Sequence, residues 1–326
     1  MAIRMAILVA VLSPVMVDEA YPDVFGSGAN TFEIEFLTIG NPGNPSDTTG
    51  NPDTAGSVDY VYRIGKFEIS REIVDKANAE GGLGIDLHDM SFVDGGARSQ
   101  MPATGVSWYE ALRFINWLNT SQGFPAAYKF STQPGDPDYD ANVGFEEWSE
   151  GESGFDPANR YRNSGARFYL PTSDEWYKAA FYDPAANGGE GGYWDYPTRS
   201  NKAPEPVSSG NAPGTAVFLQ RVEQGPADIT QAGGAGLYGA IGLAGNANEW
   251  QETPFRFFDD EDALRVARGG NWREGAHSFS VNFFPGRFPE TGMNDQGFRV
   301  ASIPEPSTLS LMLFVLAGHP LRRHLS

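Results

Sequence analysis

The chain has 326 residues, 42 acidic against 23 basic, a net charge of −19 and no cysteine. The acidic excess excludes nucleic-acid or anionic-membrane binding through bulk electrostatics. The missing cysteines exclude disulfides, thiolate metal sites and a cysteine nucleophile, and abundant aromatics and aliphatics exclude disorder.

Arg4 precedes an apolar run from Met5 to Val17 broken by Pro14. A basic start and a short greasy segment, with Ala20 as a small residue at the end, predict a secretory signal over residues 1–20. The span Asn41-Pro42-Gly43-Asn44-Pro45 to Gly56 is a turn-rich loop without periodicity. Alternation in Tyr60–Ile64 and Lys66–Ile69 predicts strand pieces around Gly65. Gly81 to Arg98 is glycine-rich and predicts a loop.

The clearest helix starts at Ser107. Ser107 and Glu110 form a capping box, and Ala111, Leu112, Phe114, Ile115 and Leu118 give a wide apolar face, with Gly123 at its end. Thr172 and Glu175 repeat the box before Trp176, Ala179 and Ala180, and Pro184 stops that helix. Between them, Gln133 to Arg162 is a long acidic insertion. Gly236–Gly239, Leu264–Arg268 and Gly297–Val300 predict short strands among loops. Two helices among short strands and long loops imply a single α+β domain over residues 21–302. No internal repeat speaks for a solenoid or propeller.

Several motifs recur in a fixed order. Val106-Ser107-Trp108-Tyr109-Glu110-Ala111 is followed by Asn116-Trp117-Leu118, then Arg167 to Trp176. Gly245-Asn246-Ala247-Asn248-Glu249-Trp250 comes next, then Arg268-Gly269-Gly270-Asn271-Trp272 and Gly297-Phe298-Arg299-Val300. The series resembles the formylglycine-generating enzyme family, also called the sulfatase-modifying factor domain, from about Tyr60 to Ala301. The resemblance implies an irregular C-type-lectin-like fold. Most motif residues read as scaffold on their own chemistry, since tryptophans, caps and glycine turns serve packing.

The family's oxidases use a cysteine pair just after the Arg-Gly-Gly segment to bind copper. This chain carries Glu274 and Phe279 there, which cannot offer soft thiolates to Cu(I). An iron-dependent branch uses clustered histidines. Of the four histidines here, His319 and His324 lie in the tail, which leaves only His88 and His277. Copper and iron are therefore not expected, and no catalytic set stands out. The resemblance also implies a structural Ca²⁺ held by Gly245 and Ala247 carbonyls and the Glu249 carboxylate, hard oxygen donors of the type this ion takes. Where a further side-chain ligand is implied, the chain has Gly242. Separately, Asp136, Asp138, Asp140 and Glu147 follow an EF-hand-like spacing, but Ala141 replaces the turn glycine and Pro137 intrudes. An acidic solvated loop is expected there.

The chain ends in Pro304-Glu305-Pro306, an apolar run from Leu309 to Gly318, and Arg322-Arg323. This order resembles the PEP-CTERM sorting signal of Gram-negative bacteria over residues 303–326, which implies processing by an exosortase-type transpeptidase. The apolar run is about half of the ~20 residues of a comfortable span. The expected protein is exported, transiently membrane-attached through its tail, and a non-oxidase of the cell envelope or extracellular matrix. A polysaccharide or protein is its expected ligand. The rival is an enzyme with a cysteine-free mechanism.

Overall fold

The computed structural model describes residues 22–255 and 264–304. The signal segment and all of the sorting signal beyond Ile303 and Pro304 lie outside them. Two four-stranded sheets carry the architecture. In the first, β1 (Phe36–Ile39), β2 (Tyr62–Gly65), β8 (Ala301–Ser302) and β3 (Phe168–Tyr169) pair in that order, all antiparallel. The last described strand thus threads between two strands from much earlier in the chain, with Ala301 opposite both Ile64 and Tyr169. In the second, the order is β6 (Gly286–Arg287), β5 (Arg265–Arg268), β4 (Asn248–Pro254) and β7 (Gln296–Phe298), with only β4 and β7 parallel.

Among the described residues three α-helices accompany the sheets, where the sequence predicts two. Both predicted helices form with both capping boxes intact, as α2 (Trp108–Ser121) and α3 (Ser173–Phe181). Each cap hydroxyl accepts from the N3 amide, and the N3 glutamate accepts from the cap amide. Helix α2 buries the five apolar residues of its expected face. The additional helix, α1 (Arg71–Gly81), starts at a Ser70 cap and stops at Gly82, which adopts the left-handed conformation that glycine tolerates. It buries only Val74 and Ala77, too thin a stripe to stand out as amphipathic.

The predicted strand at Lys66–Ile69 does not form, because the chain leaves the sheet at Gly65. Gly236–Gly239 is a turn closed by Gly239 N–H donating to the Gly236 carbonyl. Fully buried Trp108, Trp176, Trp250 and Trp272 fill the interior. The first three place their indole N–H on the Gln251 carbonyl, the Glu249 carboxylate and the Val106 carbonyl. No helix among the described residues is long and apolar enough to cross a membrane.

Candidate functional site

The Gly245–Trp250 segment is a turn that runs into β4. Asn246 has a φ of +63°, and Gly245 donates to the Gly269 carbonyl at 2.7 Å. Gly245, Ala247 and Glu249 are therefore brought together, but the carboxylate faces inward. Glu249 is fully buried and accepts from both Nε and Nη2 of the equally buried Arg299 guanidinium. Trp176 Nε1 donates to the same carboxylate at 2.7 Å. Arg299 completes its bonds on the Gly65 and Ile241 carbonyls at 2.9 and 3.0 Å. The cation that the Glu249 carboxylate holds is thus a guanidinium, and a Ca²⁺ there would compete with it.

A second buried carboxylate, which the sequence did not single out, stands beside this pair. Glu68 accepts from Asn246 Nδ2 at 2.6 Å and from the Ala247 amide at 3.1 Å. A side chain at Gly242 would collide with it, since a Cβ there lies 2.9 Å from Glu68 Oε2. Glu68 occupies the space that a side chain at position 242 would enter. Burial, then the Glu249 charge, pushes the Glu68 pKa well above the carboxylate range. Arg299 pairs with Glu249 and only attracts Glu68 through its charge.

The positions corresponding to the cysteine pair lie after a tight turn. Gly270 has a φ of +67°, and a Cβ there would sit 2.3 Å from Ser278 Oγ. Phe279 is 1% exposed and packs edge-on against Phe218 and Tyr196, with centroids 5.1 and 6.0 Å away. The Glu274 amide and carbonyl hold the local chain against Asn271 and Leu219. His277 is exposed and stacks edge-on with Phe283, whereas His88 lies in another loop beside Phe92. Among the described residues no group of three or more His, Cys, Asp or Glu side chains could hold a metal ion. In the acidic insertion, Asp136 and Asp140 accept from the Gln133 and Asn142 amides, and Glu147 pairs with Arg160. These carboxylates fasten turns of a solvated loop.

A cleft of about 900 Å³ lies between the 52–60 loop, residues 156–164, the start of α3 and the end of β4. Its floor is a polar network. Tyr60 and Tyr169 hydroxyls both donate to Glu175 Oε1 at 2.9 Å. Tyr128 Oη and Asn159 Nδ2 donate to Glu252 at 2.8 and 2.5 Å. Arg162 stacks on the Tyr169 ring at 3.6 Å and approaches Glu252 at 3.7 Å. Burial raises the Glu252 and Asp174 pKa values. Burial opposes the charge on Arg162, but Glu252 and Glu175 more than restore it, so its pKa is raised too. Sequence reading missed this cleft, because its walls come from segments far apart in the chain.

The family model described as sulfatase-modifying factor enzyme 1-like domain matches residues 43–303. The chaperone protein LppX of Paenibacillus barcinonensis is 26% identical over 219 residues, covering 62% of this chain and 69% of that protein. Among solved structures, Treponema denticola variable protein 1 aligns with a TM-score of 0.56 at 18% identity, over 87% of this chain and 99% of that one. CarF aligns with a TM-score of 0.54 at 17% identity, over 83% of this chain and 99% of that one. These likenesses show the fold, a loop-rich α+β arrangement of the kind the sequence implied.

Proposed function

This chain belongs to the family of sulfatase-modifying factor enzyme 1-like domains, and on that premise we propose that it is a non-oxidase member that works by binding a ligand. The observation that carries this reading is the content of the two cysteine positions. Glu274 and a core phenyl ring, Phe279, stand there, and neither can bind Cu(I) as a thiolate does. The relative LppX is named a chaperone protein, and a binding role for this chain is in keeping with that name. The chain's end segments, 1–20 and 303–326, support export, processing by an exosortase-type enzyme, and residence in the cell envelope or matrix. Incubation with copper, oxygen and a sulfatase-motif peptide tests the non-oxidase part, and the peptide cysteine should survive. Its conversion to an aldehyde would overturn the reading.

One observation favours the rival, a cysteine-free enzyme. Glu252 lies in the cleft with a raised pKa, as a general acid would. Its oxygens, however, are held by Tyr128, Asn159 and Arg162. Turnover of a ligand that is lost in Glu252→Gln, with binding kept, would support the enzyme.

A further inference from the structure

The cleft beside α3 carries an unmet need on each side of the hydrogen-bond ledger. Arg162 Nη1 is buried in its wall without a hydrogen-bond partner. The Arg162 side chain is 15% exposed, and its guanidinium is stacked on Tyr169 and drawn to Glu252. An unpaired buried donor is costly, so an acceptor belongs opposite it. The same cleft is lined by Asp59, Asp156 and Asp174. Asp156 accepts from the Ala158 amide at 2.9 Å and Asp174 from the Gly56 amide at 2.8 Å. Each carboxylate keeps further lone pairs for donors.

These needs sort the ligand classes. An anionic ligand would satisfy Arg162 but face three carboxylates with no further cation lining the cleft. A simple amine would pair with the aspartates and leave Arg162 unmet. A hydroxyl donates and accepts at once, and carries no charge. The cleft also offers a flat apolar surface. The Tyr60 ring is 44% exposed while its hydroxyl is anchored on Glu175, and Phe284 lines the same cavity. An aromatic face with convergent polar groups suits a ring that has both C–H and O–H faces. The volume of about 900 Å³ is at the upper end of small-ligand sites.

We infer that this cleft binds a neutral saccharide, with Arg162 donating to a sugar oxygen, the aspartates accepting from hydroxyls, and Tyr60 stacking on the ring. The inference rests on the binding reading above and names its ligand class.

Calorimetric titration of the purified protein tests it with neutral trisaccharides (cellotriose, maltotriose, mannotriose), the acidic trimer trigalacturonate, and trilysine. One neutral trisaccharide should bind, at least tenfold more weakly in Tyr60→Ala and in Asp174→Asn, and unchanged in Phe288→Ala on an exposed surface outside the cleft. Asp59→Asn, at an exposed position, serves where either cleft variant fails to fold. Binding of trigalacturonate or trilysine with the neutral panel silent would overturn the inference and leave the binding reading standing. So would a neutral saccharide whose affinity survives every cleft variant. Silence of the whole panel overturns the saccharide assignment, whereas the non-oxidase reading answers only to the copper assay.

Discussion

Arg299 and Glu249 meet side-on in the interior, through Nε and Nη2, both without solvent exposure, and tie β4 to the segment after β7. The guanidinium also bonds the carbonyls of Gly65 and Ile241, so one side chain pins four parts of the chain. Removing one partner of such a pair leaves a buried charge without compensation. We predict that Glu249→Gln lowers stability by about 3–5 kcal/mol. Denaturant titration measures it, and a loss below about 1 kcal/mol would show that the pair is dispensable.

The same pair bears on calcium. An ion bound only by the folded state would stabilise it by RT ln(1 + [L]/Kd), or roughly 2.7 kcal/mol at a hundredfold excess over Kd. Glu249 already holds Arg299 and Trp176. We predict that a chelator leaves the melting temperature unchanged. A fall of several degrees, restored by calcium and absent in Glu68→Gln, would instead show Glu68 and the Gly245 turn holding the ion together.

The buried carboxylates predict a pH dependence of unusual sign. Glu68 and Glu252 have raised pKa values in the folded state, first through burial. Between the unfolded value, about 4.3 for a glutamate, and the folded value, the native state binds more protons than the unfolded chain. Stability therefore falls as pH rises through that window and is fullest below it. Exposed carboxylates with lowered pKa values, such as Glu72 and Asp89, work the other way and are lost in strong acid. The melting temperature should peak in mild acid and decline toward pH 8, and Glu68→Gln should flatten the decline. A wild-type profile that rises steadily from pH 5 to pH 8 would contradict this account.

What the sequence revealed depended on how local the cause was. The capping boxes at Ser107 and Thr172 are written within four residues, and both formed. Helix α1 has an equally local cap at Ser70 and stop at Gly82, but its buried face is two small residues wide. The insertion of Ala301–Ser302 between β2 and β3 is a pairing of distant two-to-four-residue segments that no periodicity announces. Glu249 and Arg299 were both visible as motif residues, whereas their pairing and the neighbouring Glu68 are fixed only by tertiary contact. The cleft is the extreme case, since Tyr60, Arg162, Asp174 and Glu252 share nothing along the chain.

The end segments predict a processed protein. A Pro-Glu-Pro spacer, a short apolar run and a basic stop at the C-terminus pair with a secretory start at Arg4 to Val17. Mass spectrometry of the native mature protein should find no peptide beyond about Pro306. Intact Arg322-Arg323 peptides in a soluble cytoplasmic fraction would defeat the sorting assignment.

Phe279 allows a sharper test of how far this chain stands from an oxidase. The ring is 1% exposed and packs against Phe218 and Tyr196. Phe279→Cys removes most of a buried phenyl ring from a well-packed cluster, which costs about 3–5 kcal/mol when the site cannot collapse. Glu274→Cys adds little cost, because the backbone rather than the carboxylate makes the recorded bonds there. We predict that the double variant melts well below the wild type and gives no aldehyde from a sulfatase-motif peptide with copper and oxygen. The loss should come almost entirely from Phe279→Cys, which the two single variants will show. A double variant that stays as stable as the parent and oxidises the peptide would mean that only the thiols separate this chain from the oxidases. The phenyl ring would then be a recent filling of an otherwise complete site.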